Sequence, residues 1–394
     1  MSMRLIREAK KLAGKFVLVR VDANVPMQGK RVVDDTRLRE IIPTLRFLQR
    51  QGARVILISH LGRPGGKAVP VLSLKPVGWH LGKLLRQPVK VLPLSMKPEA
   101  IRKEATTGLV LLENIRFDKG EDANSLALAR ILARLGQVYV NEAFSFSHRG
   151  TASMVGLPRK LPAYAGFQLV HEVAALERVS KIGKKPVVAI IGGAKISDKL
   201  PVIVKLLPRL TAVLVGGGVA NTLLQAKGYR VGKSLVEASE LVNAKRLFKR
   251  AGKKLVLPVD VVVDKVGTRR KEGRLRTVTQ VATNERIMDI GTETCRLYAT
   301  YIKRAQTVFW SGPLGVVEEP LWRHGSLALG RLLAARARGR SYVLAGGGET
   351  AGFCNQHGLV FDYISTGGSA MLAFLANAPM PGLAAVGYRR AGKS

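Results

Sequence analysis

Two groups of residues in this 394-residue chain have types and spacings suited to chemistry. The first is cationic. Apolar runs in the first half each lead into arginine, histidine or a hydrogen-bonding side chain. Lys15 to Asp22 delivers Arg20, Asp22 and Asn24, and the following turn carries Asp35-Thr-Arg37. Ser59-His-Leu-Gly-Arg-Pro64 presents His60 and Arg63, Glu113-Asn-Ile-Arg116 presents Arg116, and the stretch from Asn141 ends in His148 and Arg149. A guanidinium fork matches phosphate or carboxylate oxygens bidentately. Several such forks at one sheet edge, with few carboxylates beside them, predict a site for a small ligand with several anionic oxygens. Any one arginine of so basic a chain also fits a solvated surface position, and His148 suits a buried structural imidazole equally well.

The second group is glycine-rich and lies in the second half: Gly192-Gly-Ala-Lys-Ile-Ser-Asp-Lys199, Gly216-Gly-Gly218, Gly312-Pro-Leu-Gly315, Gly346-Gly-Gly-Glu-Thr350 and Ser365-Thr-Gly-Gly-Ser369. Glycine lets the backbone approach a ligand and exposes N–H groups to phosphate oxygens. One such loop is only a turn signal; five at one sheet edge predict a polyphosphate cradle. Lys195 and Lys199 add cations four residues apart, just before or at a helix start marked by Pro201. No Gly-x-x-x-x-Gly-Lys-Ser/Thr string occurs, so the cradle is not a P-loop.

The elements that must hold these loops are apolar runs alternating with helix-period segments. The runs are Lys15 to Asp22, Arg54 to Ser59, Val89 to Leu92, Leu109 to Leu112 and Val138 to Asn141, then Pro186 to Ile191, Ala212 to Val215, Lys254 to Leu257, Thr307 to Trp310, Tyr342 to Ala345 and Phe361 to Ile364. Continuous apolar character suits parallel strands buried on both faces. Helical spacing covers Leu38 to Gln51, Leu126 to Leu135 and Ala238 to Ala251. The alternation predicts an α/β fold of two doubly wound parallel-sheet, Rossmann-like domains. Leu161 to Gly166 reads as a turn, His171 to Lys181 as an interdomain helix and hinge, and Gly183 to Pro186 as its stop. Ligands of such sheets lie beyond the carboxyl ends of the strands, which is where both groups of residues fall. A small multi-anionic substrate in one half and a nucleotide polyphosphate in the other is the layout of a phosphotransferase that closes over its substrates.

Lys and Arg total 64 against 27 Asp and Glu, a net charge of +37. That excess promotes contact with polyanions. Two cysteines, Cys295 and Cys354, exclude a disulfide framework and suit a reducing cytoplasm. The N-terminal residues lack an apolar signal core, and no apolar run is long enough to span a membrane.

These strings together resemble phosphoglycerate kinase. The resemblance rests on Val19 to Pro26, Asp34 to Arg37, Ser59 to Pro64, Ser73 to Pro76, Leu111 to Phe117, Asn141 to Phe144, His148-Arg149, Gly192 to Lys199, Gly216 to Gly218, Gly232 to Leu235, Leu257 to Asp260, Asp289 to Gly291, Val308 to Trp310, Gly312-Pro313, Gly346 to Gly348 and Ser365 to Gly368, in family order over nearly the whole chain. It implies reversible phosphoryl transfer between 1,3-bisphosphoglycerate and ADP, giving 3-phosphoglycerate and ATP, with Mg²⁺. It implies that residues 1–168 with 379–394 form the glycerate-binding domain and 169–378 the nucleotide-binding domain. Asp22, Asn24, Arg37, His60, Arg63, Arg116 and Arg149 would hold the glycerate, with Arg20 and His148 in the same patch. Lys195 and Lys199, with Gly193 and Ala194, would meet the nucleotide phosphates. Gly218, Gly291 and Pro313 would line the adenosine site and Glu318 would bind the ribose. Gly346, Gly347, Gly348, Glu349 and Thr350 would lie at the phosphates, with Glu349 at the metal position. Arg37, Lys195 and Lys199 would carry catalysis, in a cytoplasmic monomer that bends at a hinge.

Departures from the family pattern are Glu349 for Asp, Thr151 for a patch histidine, Glu142 for Asp, Ser311 for Asn, Thr292 for Pro, Ser369 for Gly and Ala373 for Glu. None removes an assigned charge-neutralising residue. The +37 charge motivates an alternative, a basic nucleic-acid- or polyanion-binding protein on a kinase scaffold with impaired catalysis. Against it, the basic runs Lys83 to Lys103, Lys245 to Lys254, Arg269 to Arg276 and Arg331 to Arg340 lack the repeated interleaved aromatic residues of a stacking reader, with Phe248 alone among them. A kinase for another acyl phosphate is a third reading, opposed by the retained arginines.

Overall fold

The computed structural model describes residues 3–180, 185–267 and 271–390. The chain divides into two compact units, Met1–Ala174 with Pro379–Ser394, and Ala175–Ala378. Lys181, Gly183 and Lys184 of the expected helix end and stop, and Arg269 and Arg270 of one basic run, lie outside the described residues.

The first unit is built on six parallel strands. Phe16–Arg20 is central and buried along its length. It pairs with Arg54–Ile58 on one side and Val138–Asn141 on the other. Leu109–Leu112 and Val89–Leu92 extend the first side, and Ala163–Ala165 the second. The uninterrupted Val, Ile and Leu runs of Phe16–Arg20, Leu109–Leu112 and Val138–Asn141 form strands buried at every position, whereas the edge strand Val89–Leu92 is only partly buried. The helix Thr36–Arg50 buries Leu38, Ile41, Leu45 and Leu48, spaced three or four apart on one face. Each such side chain contributes about 2 kcal/mol on burial.

The second unit repeats the plan. Its parallel strands run Leu255–Val256, Ala212–Val215, Val187–Ile191, Thr307–Ser311, Tyr342–Gly346 and Tyr363–Ser365 across the sheet. The pairing register sets Val215, Ile191, Ser311, Gly346 and Ser365 in one row at the carboxyl edge. Every glycine loop therefore leaves the sheet at the same level.

Two readings of the sequence need correction. Leu161 to Gly166 is not a free turn. Ala163–Ala165 is an edge strand, with the Ala165 N–H donating to the Arg4 carbonyl and the Tyr139 N–H to the Pro162 carbonyl. Three residues headed by proline are too short to show a period, and only an edge position tolerates that proline. A three-stranded antiparallel sheet, Arg274–Thr277, Asp260–Lys265 and Glu285–Ile290, was also not expected. It has its own small core of Leu224, Val231, Val261, Val263, Val278 and Val281. The helix Phe167–Ser180 does form, four residues earlier than expected, and the division between the units falls within it.

Candidate active site

In the first unit the expected anion patch gathers around one aromatic ring. Arg20 ends the central strand and is fully buried. Its Nε donates to Ser153 Oγ at 2.9 Å, and Ser153 donates in turn to the buried carboxylate of Glu121. Burial lowers the Arg20 pKa, and the Glu121 charge opposes that shift. Arg20 is thus held by a carboxylate through a hydroxyl, beneath the patch rather than on its surface. Its Nη2 donates to His60 Nδ1 at 3.1 Å. Arginine cannot accept, so His60 Nδ1 must, and the imidazole carries its proton on Nε2. Burial and the Arg20 charge hold His60 well below its ordinary pKa, so it is neutral.

The Phe146 ring lies 5.0, 5.1 and 5.4 Å from the guanidinium carbons of Arg20, Arg116 and Arg149, and 4.5 Å from the His60 ring. The face of an aromatic ring attracts cations. Phe146 therefore lets three like charges converge that would otherwise repel one another. Burial lowers the Arg149 pKa, as do the Arg116 and Arg63 charges. Sequence reasoning missed Phe146, because an aromatic residue in a loop carries no charge signal.

Two arginines expected to need an external anion have internal carboxylates. Arg37 pairs with Asp22 at 3.0 Å and donates to the Asn24 carbonyl at 2.8 Å. Arg116 pairs with Asp122 at 3.1 Å and donates to the Gly62 carbonyl at 2.9 Å. Burial pushes the Asp22 carboxyl up, but Arg37, the Ser145 hydroxyl and the Asn24 N–H outweigh it and hold it below the usual range. Asn24 Oδ1 accepts from the Gly62 N–H at 2.9 Å, which fixes the loop carrying the exposed Arg63. His148 is half-buried, and burial lowers its pKa. The arginines Arg20, Arg37, Arg63, Arg116 and Arg149 still outnumber Asp22, Glu121 and Asp122, so the patch keeps a positive excess. Thr151, which stands where the family has a patch histidine, is buried with an unpartnered hydroxyl.

In the second unit a cavity of about 150 Å³ opens among the glycine loops. Gly193, Ala194, Gly218, Pro313, Glu318 and Glu349 line it, as expected of nucleotide contacts. Asn221, Leu235, Met288 and Asp289 line it too and were not foreseen. Two of these sit on or beside the antiparallel sheet that sequence reading missed. The loop Gly192–Lys199 is anchored by Glu237, which accepts from the Ser197 N–H at 2.9 Å and from its hydroxyl at 2.7 Å. Lys195 is exposed beyond that anchor. Lys199 precedes the helix Leu200–Leu206, which begins with Pro201 near its start as expected. Its Nζ donates to Ser311 Oγ at 3.2 Å. Burial lowers the Lys199 pKa against the opposing pull of Asp198 and Glu349.

Close packing explains several glycines. A Cβ on Gly218 would lie 2.2 Å from the Ala194 carbonyl oxygen. Gly347, at φ +111°, caps the helix Gly348–Gln356 and leaves Gly348 and Glu349 exposed at its start. Thr350 is buried, and its hydroxyl accepts from the Gly312 N–H at 2.8 Å, so it braces a loop from below. Gly346 ends its strand against Met371. Gly291 is not among the residues lining the cavity. A Cβ there would strike the Asp260 carboxylate, which caps the helix Thr292–Arg304 by accepting from the Thr294 N–H at 2.7 Å. Thr292, where the family has proline, is the first residue of that helix, a position either residue fits.

A protein of two doubly wound parallel-sheet units, one with a guanidinium patch and one with a glycine-loop cavity at its strand ends, has the features of a two-substrate phosphotransferase. The chain belongs to the phosphoglycerate kinase family: the family model described as phosphoglycerate kinase matches residues 6–378. It is 43% identical over 390 residues to the phosphoglycerate kinase of Thermomicrobium roseum, covering 97% of this chain and 98% of that one. It is 44% identical over 396 residues to that of Rubrobacter xylanophilus, covering 99% of each. Among solved structures, phosphoglycerate kinase from Coxiella burnetii aligns with a TM-score of 0.82 at 35% identity, over 98% of this chain and 99% of that one. The enzyme from Pyrococcus horikoshii OT3 aligns at 0.87 and 28% identity, over 98% of both chains.

Proposed function

We propose that the chain catalyses phosphoryl transfer between 1,3-bisphosphoglycerate and ADP, giving 3-phosphoglycerate and ATP. The observation that carries this reading is the pairing of a Phe146-centred arginine patch in one unit with a glycine-loop cavity flanked by Lys195 and Lys199 in the other. The glycerate would bind the first unit through Arg63, Arg116, Arg149, Asn24 and the Nε2–H of His60. Arg20 acts as a positioning residue that sets the His60 tautomer. The nucleotide would occupy the second unit, its base near Gly218 and Pro313, its ribose at Glu318 and its phosphates at Lys195, Lys199 and the start of the helix Gly348–Gln356.

Read toward acyl phosphate formation, the attacking group is a carboxylate. It is ionised at neutral pH, so no general base is required. The protein's work is alignment and charge neutralisation. Arg37 would meet the transferring group from the glycerate side and Lys195 from the nucleotide side, with Lys199 assisting. Reacting atoms must approach to about 3–3.5 Å, so the proposal includes a closing movement that brings the two substrates together. The helix Phe167–Ser180 is the element assigned to it.

Mg²⁺ belongs to the proposal. Among the described residues no group of three or more His, Cys, Asp or Glu side chains forms a metal cluster. Glu349, an exposed carboxylate at the start of the helix Gly348–Gln356 and at the cavity, fits an ion held chiefly by nucleotide phosphates and water. Bound there, Mg²⁺ would neutralise phosphate charge. A monomeric, cytoplasmic enzyme completes the reading. Among the described residues no helix is long and apolar enough to cross a membrane, and both cysteines are free. The comparisons give no support to the alternative of a nucleic-acid-binding protein.

Equilibrium titration of each substrate tests the assignment of the half-sites. Arg63→Ala with Arg149→Ala should weaken 3-phosphoglycerate and leave ADP unchanged; Glu318→Ala should do the reverse. Variants that weaken both ligands equally would contradict it.

A further inference from the structure

A wide groove of the first unit runs beyond the proposed glycerate contacts and shares only Asn24 with them. It encloses about 1570 Å³ between the hairpin Met27–Gln28/Arg31–Val32 and the stretch from Pro70 through the helix Lys75–Leu85. Its floor is apolar: Val25, Met27, Val32, Leu61 and Leu72. Trp79 stands in its wall at 63% exposed and Val71 at 78%, while the other two tryptophans, Trp310 and Trp322, are fully buried. A large aromatic side chain left in water beside an apolar floor marks an interaction surface. The rim has one sign. Lys30, Arg31, Lys75 and Lys83 line the groove, no Asp or Glu does, and none of the four has an ion-pair partner among the described residues. Lys83 Nζ rests 3.5 Å over the Trp79 ring, which places a cation at the apolar anchor itself.

Size and chemistry select the occupant. Small-ligand pockets run to about 300–1,000 Å³, so this groove is too large and open for one. A single-stranded nucleic acid needs a ladder of aromatic platforms and polar partners for each phosphate, whereas this groove offers one ring over an aliphatic floor. An all-cationic rim around an apolar floor complements a polypeptide that is acidic with apolar anchors. We propose that this groove docks an acidic, apolar-anchored segment of a partner protein, with Trp79 as the central contact and Lys75 and Lys83 pairing its carboxylates.

A labelled short peptide alternating glutamate with leucine and phenylalanine, titrated at physiological ionic strength and followed by anisotropy, tests this. The account expects saturable binding with a blue shift of Trp79 emission. Trp79→Ala, and Lys75→Glu with Lys83→Glu, should each weaken binding by on the order of tenfold. Lys245→Glu with Lys249→Glu, which removes the same charge from an exposed helix elsewhere, should leave it unchanged. The phosphotransfer rate should be unaffected by the groove variants, and circular dichroism should show them folded. Any of four results would overturn the proposal: no saturable binding, equal binding of polyglutamate, tighter binding of oligothymidylate that displaces the peptide, or equal loss in the Lys245/Lys249 control. Self-association abolished by the groove variants would assign the groove to a second copy and overturn it as well.

Discussion

Arg20 Nη2 lies 3.1 Å from His60 Nδ1, and this contact decides which proton the imidazole can offer. His60 is a neutral donor through Nε2, held well below its ordinary pKa by burial and by the Arg20 charge. No activity change near pH 6.5 should therefore trace to His60, and its ring ¹⁵N shifts should stay those of the Nε2–H tautomer from neutral to alkaline pH. A His60 titration at its ordinary value would contradict this. Arg20→Met should also leave the Glu121 charge buried without its counter-ion, costing about 3–5 kcal/mol in urea denaturation.

Phe146 shows how much of the site is invisible to charge-based reading. Its ring neighbours three guanidinium groups, each contact contributing about 0.5–1 kcal/mol. Phe146→Leu keeps the bulk and loses the quadrupole. KM for 3-phosphoglycerate should rise by on the order of tenfold, with kcat and the ADP KM nearly unchanged. A loss confined to kcat would show that the ring does not order the patch.

Lys199 is largely buried and donates to Ser311, which replaces the family's asparagine. Ser311→Ala removes that acceptor and depresses the ammonium further. The alkaline limb of the pH–rate profile should move to lower pH, and activity at pH 7 should fall by roughly threefold, for the loss of one hydrogen bond. An unmoved limb would separate Lys199 from the rate.

Two buried carboxyls make the protein lose stability as pH rises toward neutrality. Burial pushes Glu142 up to about 7, although the Thr44 hydroxyl and the Gln168 and Leu169 N–H groups favour its charged form. Burial likewise pushes Asp289 up to about 7 against the Gly325 and Ile290 N–H groups. A raised carboxyl pKa stabilises the fold below the unfolded value and loses that contribution as pH rises through the folded one. Stability should thus decline between about pH 4 and 7 by on the order of 3–4 kcal/mol per group. His60 acts in the opposite sense, its contribution present above about pH 6.5 and lost on acidification. Glu142→Gln with Asp289→Asn should flatten the decline in urea midpoints between pH 5.5 and 8. An unchanged slope would refute the assignment.

Much of the parallel framework was legible in the sequence, since buried strands require unbroken apolar runs such as Val187 to Ile191. Their common edge followed from the fold class, and the row from Val215 to Ser365 realises it. The antiparallel sheet was hidden because Arg274–Thr277 is polar and largely exposed, so its strand character comes from pairing alone. Internal pairing of Arg37 with Asp22 and of Arg116 with Asp122 was hidden for a related reason: loop geometry, not spacing, brings them together. Gly291 illustrates the converse. Its motif is family-like, yet what demands the missing side chain here is the Asp260 carboxylate that caps the next helix.

The central claim is most directly tested by coupled measurement of ATP formation from 1,3-bisphosphoglycerate and ADP with Mg²⁺, beside Arg37→Ala and Lys195→Ala. The account predicts turnover in the parent and losses of at least on the order of a hundredfold in each variant, with both folded by circular dichroism. No turnover in a folded parent, or full activity in either variant, would contradict it.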